Sequence, residues 1–163
     1  MTTDLENTLY LDVPAGRVVI ELLPDLAPAH VARIKELART GYYDGLAFHR
    51  VIDGFMVQTG CPKGNGTGGS GQRLAAEFSA ERHVRGICSM ARASDPNSAD
   101  SQFFIMLGTS PHLDRQYSVW GRTISGMEHI DAIKKGEGGS GTVRNPDRIV
   151  KLQVAADAGG EAP

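Results

Sequence analysis

The chain has 163 residues, with 17 basic and 19 acidic side chains giving a net charge of −2, and it is 40% hydrophobic and 22% charged. That length suits one domain, the composition describes a soluble globule rather than a disordered chain, and the balanced charge provides no drive toward nucleic acid or anionic lipid. Glycine is the outlier at 20 residues, about 12% against a usual share near 7%, which implies many tight turns.

The opening residues carry two acids and no basic region, so they do not read as a secretory signal, although a form from which a signal had been removed would read the same. Thr8 to Val13 alternates with Leu9, Leu11 and Val13 on one face; Pro14, Ala15 and Gly16 turn the chain into Arg17 to Leu22, where Val18, Ile20 and Leu22 alternate again. This predicts a β-hairpin. Pro28 suits the first turn of a helix with a core-facing stripe of Val31, Ile34, Leu37 and Ala38, closed by Gly41. Short apolar segments then recur between glycine-rich turns at 46–52, 55–59, 86–91, 103–107 and 117–123. A second helix is expected around Met127, Ile130 and Ile133, ending at Lys134, Lys135 and Gly136. A last strand is expected over 148–155, and 156–163 reads as a frayed tail. Many short strands need their edges hidden, so the expected fold is mainly β, a closed or nearly closed antiparallel barrel, as one domain over 1–163. No stretch approaches the ~20 apolar residues of a membrane-spanning helix.

Several candidate signals fail on context. Residues 64–69 and 136–141 both satisfy G-x-G-x-x-G, but neither sits in the strand–turn–helix setting that would place phosphates at a helix N-terminus, so both read as loops. No nucleophile elbow or phosphate-binding P-loop occurs. The five histidines lack metal-ligand spacing, so no metal site is expected. Cys88 reads as a small buried hydrophobe, and Cys61 as a strand-end residue that is reactive only if exposed. Two cysteines without a Cys-x-x-Cys pair fit a thiol-reduced, cytoplasmic protein. His49 reads as a buried, hydrogen-bonded imidazole, and Glu77 with Phe78 as packing.

Phe48-His49-Arg50-Val51-Ile52-Asp53-Gly54-Phe55-Met56-Val57-Gln58-Thr59-Gly60 closely resembles the F-H-R-x-I-x-x-F-x-x-Q-x-G signature of the cyclophilin peptidyl-prolyl isomerases. Asn65 to Gly69, Ser89 to Ala91, Asn97, Ser101 to Ile105, and Pro111 to Asp114 follow in family order, and the resemblance spans about 8–155. It implies an eight-stranded antiparallel closed β-barrel capped by two α-helices, no cofactor, and proline-containing polypeptides as substrates. It also implies Arg50 and Gln58 as catalytic residues, with Phe55, Met56, Gln102, Phe104, His112, Leu113 and Tyr117 around the substrate, and Ala91 and Arg92 alongside its backbone. His112 stands where the best-known cyclosporin-sensitive members have Trp, and Tyr117 where they have His. Weak cyclosporin binding is the expectation.

The chemistry agrees with such a site. An X-Pro amide resists rotation by about 18–20 kcal/mol, and reaching milliseconds requires a gain near 10⁵, about 7 kcal/mol. Twisting the amide localises the nitrogen lone pair as a new acceptor, which the permanently charged donors of Arg50 can meet. No nucleophile is needed. The principal alternative is a proline-peptide binding or chaperone module with the same slot but no turnover, for which Arg50 and Gln58 would be dispensable. A barrel holding a small molecule would instead need a hollow interior, against the large apolar residues expected there. The chain is expected to be a monomer.

Overall fold

The structure, a computed structural model, describes residues 4–158. The hairpin forms as expected: β1 (Thr8–Val13) and β2 (Gly16–Leu22) pair antiparallel with Leu9 opposite Ile20 and Leu11 opposite Val18. Helix α1 (Pro28–Arg39) buries Val31, Ile34, Leu37 and Ala38 as the stripe predicts, together with His30. Its N-cap residue, Ala27, has no side chain to hold the free amides. Glu77 holds them instead, its carboxylate accepting from Ala29 N at 3.2 Å, His30 N at 2.9 Å and His30 Nδ1 at 2.5 Å. Glu77 is therefore a remote helix cap rather than packing, and its neighbour Phe78 is exposed.

The remaining strands are β3 (Arg50–Ile52), β4 (Met56–Thr59), β5 (Ile87–Met90), β6 (Phe103–Met106), β7 (Val119–Ser125) and β8 (Lys151–Val154), with α2 (Met127–Asp131) between the last two. All eight form one antiparallel sheet in the order β3-β4-β6-β5-β7-β2-β1-β8, curled into a half-barrel. The expected closed ladder differs at its seam. β3 and β8 do not pair as strands; the segments entering them are joined by an isolated bridge, Ala47–Arg148, with Phe48 N donating to Asp147 O at 2.9 Å and Gly45 N to Ile149 O at 2.8 Å. Helix α1 packs on β7 and β8, and α2 on β2.

α2 is shorter than the apolar spacing predicts. Ala132 closes it, Lys135 Nζ caps the carbonyls of Asp131 and Ile133, and Lys134 N donates to Asp147 Oδ2, drawing the chain away from the helix axis. At the C-terminus 156–158 are not frayed: Ala155–Ala158 is a 3-10 turn, and Asp157 accepts from Arg39 Nε at 2.9 Å. The rest of the expected tail, 159–163, lies outside the described residues.

Strand alternation divides the apolar residues into two sets. Phe103 and Ile105 point inward with Leu9, Leu11, Ile20, Val57 and Trp120, where Tyr43, Phe103 and Trp120 meet edge to face at ring separations of 5.4 and 5.2 Å, each contact contributing roughly 0.5–1.5 kcal/mol beyond its buried area. The interior is filled by side chains, which removes the small-molecule container from consideration. Phe104 and Met106, one residue along, join Met56, Ile87, Leu113 and Val119 in a second cluster on the opposite face of the sheet.

Candidate active site

The second cluster forms the floor of the site. Strand register sets Arg50 opposite Gln58, Gln58 opposite Phe104, and Phe104 opposite Ser89, so one row crosses β3, β4, β6 and β5. Residues in a cross-strand row share a face, and those two positions along share it again. Ile52, Met56 and Met106 therefore make a parallel apolar row beside the polar one. Nine of the eleven expected site residues, Arg50, Phe55, Met56, Gln58, Ala91, Arg92, Phe104, Leu113 and Tyr117, surround one slot of about 120 Å³. Gln102 lines an adjoining pocket of about 290 Å³ with Gly66, Thr67, Gly68, Arg73, Ser98 and Asp100. His112 lies at the rim, its exposed ring 6.0 Å from that of Phe55.

Arg50 is held from two sides. Its Nε donates to Ser140 O at 3.0 Å and its NH1 to Gln58 Oε1 at 3.2 Å. Gln58 Nε2 donates to Gln102 Oε1 at 3.0 Å, and Gln102 Nε2 to the carbonyls of Gly66 and Gly68 at 2.9 and 3.0 Å. This chain of amides fixes Gln58 with its oxygen toward the guanidinium and ties both to the glycine-rich 64–69 loop.

Arg92 plays a different part from Arg50. All its nitrogens donate to main-chain carbonyls, Nε and NH2 to Gln116 O, NH1 to Ala93 O and Ser94 O, and its guanidinium covers the Tyr117 ring at 4.8 Å. The side chain thus holds the slot wall. Tyr117 in turn meets Phe104 edge to face at 5.5 Å.

Behind this wall lies a set of residues to which the sequence reading gave no role in the site. His83 Nε2 bonds Ser89 Oγ at 3.0 Å, its Nδ1 bonds Asp114 Oδ1 at 3.2 Å, and its ring stacks on Phe104 at 6.1 Å. Burial holds the His83 pKa below its usual value, with the Asp114 carboxylate opposing that shift. The His83 main-chain N–H, first, and its ring hold the Asp114 carboxyl below its usual range. Because Ser89 and His83 are fully buried, this arrangement is a support for Phe104 and Leu113 rather than a nucleophile.

The cysteines and His49 resolve as follows. Cys88 is buried, and desolvation pushes its thiol up to about 12. Cys61 is also buried; burial alone would raise its thiol, but main-chain N–H groups, led by Gly68 at 3.2 Å, outweigh it and lower the pKa. His49 is buried as expected, yet its Nδ1 makes no well-formed hydrogen bond, and desolvation lowers its pKa. Among the described residues, no group of three or more His, Cys, Asp or Glu is arranged to hold a metal.

Residues 8–154 match the family model of the cyclophilin type peptidyl-prolyl cis-trans isomerase. The chain belongs to the cyclophilin family. Among its cyclophilin relatives, the probable peptidyl-prolyl cis-trans isomerase of Brucella suis biovar 1 is 54% identical over 167 residues, covering 94% of this chain and 85% of the relative. The enzyme of Synechococcus elongatus is 39% identical over 148 residues, covering 91% and 96%. Among solved structures, the cyclophilin AquaCyp293 from Hirschia baltica superposes with a TM-score of 0.85 at 30% identity, covering all of this chain and 78% of that one. A Cryptosporidium parvum cyclophilin crystallised in the presence of the dipeptide Ala-Pro gives 0.82 at 29% identity, covering 90% and 98%. This cyclophilin is a peptidyl-prolyl cis-trans isomerase, and X-Pro bonds are its substrates.

Proposed function

We propose that the 120 Å³ slot receives the substrate proline ring and that Arg50 supplies the donor stabilising the twisted amide. The observation carrying this reading is a guanidinium tethered at two of its nitrogens while lining a slot that it shares with Phe55, Met56, Phe104 and Leu113. Phe55, Met56, Phe104 and Leu113 anchor the ring and exclude the water that favours the planar isomers. Arg50 then offers its remaining N–H groups to a nitrogen that accepts a hydrogen bond only when pyramidal, so the interaction strengthens on the way to the transition state. Gln58 orients Arg50 through its side-chain oxygen. Ala91, Arg92 and Gln102 line the path of the substrate backbone toward the adjoining pocket.

Exchange NMR on a short proline peptide tests this directly. Arg50→Ala is expected to lower kcat/KM by about 10² to 10³, the usual loss for one preorganised donor, with peptide affinity nearly unchanged. Near-normal exchange in the folded variant would overturn the role of Arg50. Equal loss of rate and affinity would reduce it to a binding group.

Several finer readings accompany this one. The half-barrel closes on itself through 45–48 and 147–149, supported by the main-chain bonds at the seam. The enzyme works as a monomer that assists folding, in a reducing, cytoplasmic setting suited to two buried free thiols. It binds cyclosporin weakly, because His112 offers the drug a smaller and better-hydrated ring than an indole.

A further inference from the structure

One contact of Arg50 comes from a segment with no part in the slot. The turn 136–142 lies along the free edge of β3, held by main-chain bonds on both flanks of residue 50. Gly136 N donates to Val51 O at 2.8 Å, Val51 N to Gly141 O at 2.8 Å, and Val143 N to His49 O at 3.2 Å. The turn closes on itself through Glu137 N to Thr142 O at 3.1 Å and a hydroxyl contact between Ser140 and Thr142. It presents the Ser140 carbonyl to Arg50 Nε at 3.0 Å.

We propose that the 136–142 turn is the positioning element of the catalytic guanidinium, with the Ser140 main-chain carbonyl as its contact atom. This rests on the role given to Arg50 above. A guanidinium held by a single hydrogen bond still swings about that bond. A second bond from an independent element fixes its plane, which directs the remaining donors. Gln58 supplies the first tether from β4, and Ser140 the second from outside the sheet. Because the acceptor is a carbonyl, its position depends on the backbone trace and not on the side chain at 140.

Two glycines set that trace. A Cβ on Gly136 would lie 1.9 Å from Gly141 O. Gly141 has φ +73°, and a Cβ there would lie 2.5 Å from Ile52 Cγ1. The Ser140 carbonyl belongs to the peptide unit ending at the Gly141 nitrogen, so any adjustment at Gly141 moves the contact atom itself. Gly139, in the same turn, has open space around its Cβ direction and no positive φ.

The experiment compares rates and peptide affinities of Gly141→Ala and Gly139→Ala, in the wild-type and Arg50→Ala backgrounds. Gly141→Ala is expected to lower kcat by about 10- to 100-fold, the scale of a small misplacement at a reacting centre, while KM and peptide affinity stay within about twofold. In the Arg50→Ala background the same substitution should cost nothing further, since coupled residues are non-additive. Gly139→Ala, whose added Cβ meets nothing, should cost at least about threefold less than Gly141→Ala in the wild-type background. On the wild-type protein, NMR of the arginine Nε–H groups should show Arg50 exchanging with water more slowly than Arg73, whose side chain is 70% exposed; this reading stands even if Gly141→Ala fails to fold. Equal exchange at the two arginines, or equal Gly141→Ala losses in both backgrounds, overturns the proposal. Rate lost in Arg50→Ala but kept in Gly141→Ala overturns the turn alone. Rate kept in Arg50→Ala overturns the role of Arg50, and the catalytic meaning of the turn with it.

Discussion

His112 is the rim position on which the proposed weak drug binding rests. Its ring stands beside Phe55 but makes no hydrogen bond within the slot network, and it is exposed. An indole there would add a broad apolar face and an N–H donor. Titration should therefore find cyclosporin binding tightened by His112→Trp with peptide turnover nearly unchanged, and unaltered drug affinity would refute the argument. The residues that touch the slot were legible through the family resemblance, whose motif is spelled in side chains: a charged fork at 50, an amide at 58, rings at 55 and 104; taken singly they would read as core, surface charge and ordinary polar residues. Their supports were not. Arg50 rests on the carbonyl of a residue ninety positions away and Gln102 on carbonyls of a loop, and a carbonyl leaves no mark in the amino-acid alphabet. His83 was legible only as a histidine without metal spacing, because Asp114 reaches it from 31 residues further on and Ser89, six residues away, meets it only once β5 has formed.

Elements with a clean period were the readable ones. The hairpin alternates and carries its turn residues, and α1 has proline at its start and glycine just past its end. The helix cap was hidden because Ala27 cannot supply one, and its substitute, Glu77, arrives from another part of the chain. Strand ends were hidden for a similar reason. The 46–52 segment is apolar apart from His49 and Arg50, yet only Arg50–Ile52 joins the ladder, because its earlier half bonds across the seam instead. That seam makes a measurable claim. If it closes the sheet, the amides of Gly45, Phe48 and Ile149 should exchange with deuterium nearly as slowly as those of β1, since only opening of the barrel exposes them. Exchange as fast as in the 64–69 loop would show an open edge.

At the scale of the molecule, burial of neutral imidazoles links stability to pH. His83 and His49 both have pKa values lowered by desolvation, so below about pH 6.5 the unfolded chain takes up protons that the folded chain refuses. Stability is therefore fully present above that pH and declines as the pH falls toward the folded-state values. The carboxyls held low by their partners, Glu77, Asp114 and Asp131 among them, contribute stability that is fully present above their ordinary range near 4 and is lost only as the pH falls below it. Thermal melts at pH 7 and pH 5 should show a fall in Tm for the wild type that is smaller in His83→Gln, whose amide does not titrate. Parallel falls in the two proteins would exclude His83 as a source. A charged His83 would face Asp114 favourably, but His112 and the apolar rings of Phe104 and Tyr117 oppose it.

The slot lies on the outer wall of the curled sheet, over the Phe104 and Met106 face, while the interior of the half-barrel is solid. A wall groove, unlike a barrel mouth or a tunnel, can be approached sideways. A client need not present a chain end or be threaded through anything, and it can remain folded on either side of the bond being turned. Catalysis of this kind suits prolines in the exposed loops of nearly finished proteins as well as those in unfolded chains, limited only by how far a loop stands out from its own surface.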